Sequence, residues 1–102
     1  MTEYSAIRDP ERCPAHPGAI LTDILEEFPK SRTEVAKLLG ISRQHLYDVL
    51  GGRKPVSPVV AAKVGKMFGG GPAIWLRTQA NYDAWHAARE VDVSAIPKLS
   101  AA

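Results

Sequence analysis

The side chains best placed to do chemistry in this 102-residue chain stand between Arg32 and Lys54. In SRQHLYDVL, Ser42 is of the type that caps a helix, and Leu46 and Val49 fall on one face of the helix it would start. That leaves Arg43, Gln44, His45, Tyr47 and Asp48 outside. Arginine pairs bidentately with the guanine edge and glutamine with the adenine edge, so this chemistry is hydrogen-bond readout rather than bond making. The following GGRKP is a loop by composition: its glycines let the backbone come close to a ligand, and Arg53 and Lys54 supply positive charge.

A catalytic reading needs acids, bases or nucleophiles that converge, and none are spaced to do so. His16, His45 and His86 fall in three different elements without H-x-x-x-H or H-E-x-x-H spacing. His16 suits the start of a helix, His45 a polar outer face and His86 a surface flank. Glu26 and Glu27 are neighbours on a helix and so point apart. There is no P-loop or dinucleotide-binding glycine pattern, and GGG at 69–71 reads as a linker. The single cysteine, Cys13, excludes an internal disulfide and a paired-cysteine zinc site, and reads as a free thiol in an N-terminal arm. No catalytic residue, metal or cofactor is therefore expected.

These outward side chains need a scaffold, and periodicity supplies one. Ser31 caps a helix in which Val35, Ala36, Leu38 and Leu39 form the apolar face, ended by Gly40, where a left-handed turn costs little. Only Gly40 and Ile41 separate it from Ser42, too short a turn for an antiparallel return. The two helices must cross steeply, with the small Ala36 at the crossing, which is a helix-turn-helix. Before it, AILTDILEEF predicts a helix stopped by Pro29, with Ile20, Leu21, Ile24, Leu25 and Phe28 as its core stripe. After it, Ser57 caps and Pro58 opens a fourth helix with Val59, Val60, Ala62, Val64 and Phe68 buried. Pro72 starts a fifth, AIWLRTQANYDAWHAARE, dense in aromatics. The fold class is all-α, five helices in one domain over residues 16–90, with an N-terminal arm at 1–15 and a C-terminal tail at 91–102. No internal repeat is visible.

An ordinary helical hairpin with a solvated polar face shares this spacing, and charge separates the two. Residues 1–29 carry two arginines against six acids, whereas residues 30–66 carry eight basic side chains against only Glu34 and Asp48. The positive block coincides with the helix-turn-helix and its loop, which favours a phosphate-binding surface over a merely solvated face. No run of about 18 apolar residues and no basic-then-apolar leader is present, so neither a membrane span nor a secretory signal is expected, and the location expected is the cytoplasm.

Residues 16–86 resemble the HigA-type antitoxins of bacterial toxin–antitoxin modules, a branch of the Cro/C1-type helix-turn-helix family. The resemblance rests on HPGAIL at 16–21, SRTEVAKLLGISRQHLYDVLGGRKPVSP at 31–58, and W-L-x-x-Q-x-x-Y-D-x-W from Trp75 to Trp85. It implies a Cro/C1-like bundle of five helices that dimerises, binds a palindromic operator before its own operon, and neutralises a small ribonuclease toxin of the RelE/HigB type. The implied DNA contacts are Arg32, Thr33, Ser42, Arg43, Gln44, His45, Tyr47, Arg53 and Lys54. Two positions depart from the family pattern: Arg32 stands where glutamine is frequent, and Ala19 where an acid usually follows the HPG. The alternative within the same fold is a stand-alone regulator without a toxin partner. A lone recognition helix reads few base pairs, so a homodimer is expected, with Tyr82 and Trp85 of the fifth helix at its interface and Trp75 holding that helix to its own subunit.

Overall fold

The computed structural model describes residues 11–100. The first ten residues of the arm and the last two of the tail lie outside the described residues. Among those described there are five helices and no strand: α1 Pro17–Glu26, α2 Arg32–Leu39, α3 Arg43–Leu50, α4 Pro58–Phe68 and α5 Gly71–Glu90. No described helix is long and apolar enough to cross a membrane.

Each helix starts where local chemistry pairs its first N–H groups. Ser31 Oγ accepts from Glu34 N at 3.1 Å while the Glu34 carboxylate reaches back to Ser31 N, a reciprocal capping box. Ser42 Oγ accepts from His45 N at 2.9 Å, and Ser57 Oγ from Val60 N at 3.2 Å. Gly40 ends α2 at φ 72°, a conformation that a side chain would resist. The first helix begins two residues earlier than its sequence predicts and ends sooner. His16 Nδ1 accepts from Gly18 N at 2.9 Å, and Pro17, fixed near helical φ, occupies the first turn. At the other end, Glu27 and Phe28 donate three residues back to Ile24 and Leu25, tightening the chain out of the helix before Pro29.

The core is one cluster drawn from every helix: Leu21 and Leu25, Val35, Ala36 and Leu39, Leu46 and Val49, Val60, Ala61 and Val64, and Trp75, with Val56 from the loop. Fully burying a residue such as Val35 or Val49 contributes about 1.5–3 kcal/mol each. The helix α5 lies along α4 and touches α1, while α3 packs against both α1 and α2. Phe28 and Phe68 meet edge to face at 5.3 Å, joining the ends of α1 and α4.

Four apolar residues expected inside are outside. Leu38 is 61 %, Val59 63 % and Ile20 39 % exposed, Ala62 is also exposed, and Ala61 is buried instead. An eight-residue helix buries one stripe, and Val35, Ala36 and Leu39 occupy it, so Leu38 lies about a quarter turn away. On α4 the buried stripe is Val60, Ala61, Val64 and Gly65, which puts Val59 nearly opposite.

Candidate nucleic-acid interface

The helix α3 is held from beneath. Leu46 and Val49 are buried, and Gly18 of α1 lies so close to the Val49 carbonyl that a Cβ there would overlap its oxygen. The HPG segment thus has two mechanical tasks: His16 caps α1, and the missing side chain of Gly18 lets α1 seat against the end of α3. With its inner face fixed, α3 presents Arg43 and Gln44 from its first turn and Tyr47 from its second, all exposed, while His45 and Asp48 are partly buried. Ser42, at the cap, is exposed with its hydroxyl turned to the helix N-terminus.

The loop after α3 turns back on the helix. Gly51 N donates to Tyr47 O, Gly52 N to Val49 O, and both Arg53 N and Lys54 N to Asp48 O. The Arg53 side chain follows the same path: its Nε donates to Asp48 Oδ1 at 3.0 Å and Nη2 to Tyr47 O at 3.0 Å. A cation at a helix C-terminus counters the helix dipole, and here it shares the Tyr47 carbonyl with Gly51 N. Gln44 Nε2 donates to the same Asp48 Oδ1, also at 3.0 Å. The Arg53 guanidinium, then the Gln44 amide, hold the Asp48 carboxyl below the usual carboxylate range. The structure therefore gathers Gln44 and Arg53 about one carboxylate, with Arg53 also bound to the Tyr47 backbone carbonyl. Thr33 is exposed and Arg32 half-buried at the N-terminus of α2, where the helix dipole favours an anion. Lys54 is exposed beside Arg53.

Two residues that position this face carry no clear mark in the sequence. Asp48 reads there simply as one polar residue among several. Gln79 is only 5 % exposed on α5, and its Oε1 accepts from Val56 N at 2.8 Å while Nε2 donates to Asp83 at 3.0 Å. It ties the end of the basic loop to the longest helix. The signal available was a glutamine on the inner side of an aromatic stripe, where a polar group must have a partner.

Away from α3, Tyr82 and Trp85 are half-buried on α5. Tyr82 meets the His16 ring edge-on at 4.9 Å and lies tilted by 51° against His86 at 4.4 Å; Arg89 lies 3.8 Å over the Trp85 ring. Tyr82 is thus partly engaged by its own chain. Trp75 is buried as expected, and its Nε1 has no hydrogen-bond partner among the described residues. His86 Nδ1 pairs with Glu90 at 2.7 Å. Cys13 is exposed and free. Among the described residues no group of three His, Cys, Asp or Glu side chains comes together as metal ligands.

No family model matches the chain. Single proteins do. The chain is 35 % identical over 71 residues to virulence-associated protein A′ of Dichelobacter nodosus, of which it spans 62 %. It is 30 % identical over 83 residues to the HTH-type transcriptional regulator YddM of Escherichia coli, covering 81 % of this chain and 88 % of that one. Among solved structures, an antidote protein of a plasmid maintenance system from Nostoc punctiforme superposes with a TM-score of 0.73 at 33 % identity, over 76 % of this chain and 86 % of the other. The Pseudomonas aeruginosa antitoxin HigA, solved with the higBA promoter, gives 0.70 at 28 %, over 84 % and 99 %. These structural relatives are antitoxins rather than enzymes, and the chain is not an enzyme. It is a five-helix protein of the Cro/C1 helix-turn-helix type and belongs to the HigA family of antitoxins.

Proposed function

We propose that the chain represses its own operon by sequence-specific binding as a homodimer, and neutralises a RelE/HigB-type ribonuclease toxin encoded beside it. The observation that carries this reading is the face of α3: exposed Arg43, Gln44 and Tyr47 above a buried Leu46 and Val49, continued by the Arg53–Lys54 loop. Arg43 and Gln44 read base edges, with Tyr47, His45 and Ser42 beside them; Arg32, Thr33, Arg53 and Lys54 hold phosphates. Two copies of α3 about 34–36 Å apart match successive major-groove faces of a palindrome. The dimer is built through Tyr82 and Trp85, and supporting it is the exposed apolar surface that continues past α5 at Val91, Val93 and Ile96.

Co-expression with the product of the adjacent gene tests the whole reading. A complex that co-purifies and relieves the toxicity of that product is expected, together with a dimer of the antitoxin alone by light scattering that becomes a monomer when Tyr82 and Trp85 are both made polar. Promoter binding without any protein partner would favour a stand-alone regulator, a reading to which kinship with YddM lends support.

A further inference from the structure

Asp48 is out of place on a surface that must attract a polyanion. Of the two acids between residues 30 and 66, Glu34 is accounted for by the capping box of α2. The Asp48 carboxylate has no comparable task in the fold. The loop turn is held by the Asp48 backbone carbonyl, which takes Arg53 N and Lys54 N, and would survive loss of the side chain. What the side chain holds is Gln44 Nε2 and Arg53 Nε, both on Oδ1 at 3.0 Å, from a position only 17 % exposed.

We propose that Asp48 is a positioning residue for readout, fixing the Gln44 amide and the Arg53 guanidinium before DNA arrives and thereby setting specificity rather than affinity. The inference rests on α3 being the helix that enters the groove. A carboxylate only accepts, so the Gln44 group facing it must be Nε2. That leaves Oε1 and the second N–H of Gln44 in a set order, the acceptor–donor pair that an adenine edge requires. An amide without such a partner would sample both orders and several rotamers, and binding would have to order it. Arg53 is fixed likewise by Asp48 and the Tyr47 carbonyl, and its side chain, 61 % exposed, keeps further N–H groups for a phosphate contact. The negative charge itself weakens attraction to every duplex equally, which lowers non-specific binding without touching the contacts that discriminate.

The test compares wild type, Asp48→Ala, Asp48→Asn, Gln44→Ala and Gln44→Ala/Asp48→Ala. Each is titrated against a duplex of the chain's own promoter and a scrambled duplex of equal length, with thermal unfolding as a control for folding. Asp48→Ala should lower the ratio of promoter to scrambled affinity by about tenfold, the low end of what one bidentate pair contributes. Binding to the scrambled duplex should tighten or hold. Asp48→Asn keeps an acceptor in the same place without the charge, so both affinities should rise and the ratio should persist. In the double variant the ratio should fall no further than in Gln44→Ala alone. An unchanged ratio in Asp48→Ala, or a fall of the same size with and without Gln44, overturns the proposal. A wild type that does not prefer its promoter refutes the DNA-reading role of α3 itself, a distinguishable failure.

Discussion

Replacing Gln79 by leucine should destabilise the protein through one atom, the Val56 N–H. Leucine is close to glutamine in volume, so the side-chain space on α5 stays filled and no cavity cost arises. Two hydrogen bonds disappear. The one from Nε2 to Asp83 is only partly buried, and water can replace it at little cost. The one from Val56 N is buried, and without Oε1 that donor faces apolar neighbours, a penalty of about 1–3 kcal/mol. Against a total stability of about 5–15 kcal/mol this is a large fraction. In thermal unfolding followed by far-ultraviolet circular dichroism, the midpoint should drop by about 4–8 °C for each kcal/mol lost. Asp83→Asn keeps an acceptor for Nε2 and should stay within about 0.5 kcal/mol of wild type. A Gln79→Leu protein that unfolds at the wild-type temperature would refute the reasoning.

Other consequences follow from the same geometry. Arg53→Ala and Lys54→Ala should each lower the slope of log affinity against log salt by about one unit on any duplex, and slopes unchanged from wild type in both variants would move the phosphate clamp elsewhere. Burial holds His16 below the ordinary histidine value of 6.5, against an opposing pull from Asp83. The folded state therefore prefers neutral His16, whose Nδ1 must accept from Gly18 N. Its contribution is complete above pH 6.5 and is lost as pH falls from there through the lower folded value. Unfolding midpoints measured across that window should decline in wild type and stay flat in His16→Asn, and a parallel decline would assign the effect to other groups. Ala36, 2 % exposed at the helix crossing, leaves no room for a carboxylate, so Ala36→Glu should abolish cooperative unfolding; a folded variant that still binds promoter would rule out this register.

Much of this was legible in the residues. Ser31, Gly40, Ser42 and Ser57 act within a few positions of themselves, and such local chemistry marks the ends of α2, α3 and α4. The start of α1 stands two residues ahead of AILTDILEEF because His16 caps it and proline at the first helical position favours initiation. Ile20, Leu38, Val59 and Ala62 were expected inside because an apolar residue carries no sign of which stripe its helix will bury. Asp48 and Gln79 escaped for a different reason. Their partners reach them through the loop after α3 and through the packing of α5, separations that periodicity does not encode. Arg53 in particular reads as a free phosphate clamp in the sequence, and only the turn at Gly51 and Gly52 brings it onto Asp48.

The central claim is that α3 reads sequence, and Gln44→Ala tests it most directly. Equilibrium binding of wild type and Gln44→Ala should be measured at one fixed salt concentration on the chain's own promoter and on a scrambled duplex. The variant should lose about 1–3 kcal/mol on the promoter and far less on the scrambled duplex. Equal losses on the two duplexes, or none on either, would contradict the account.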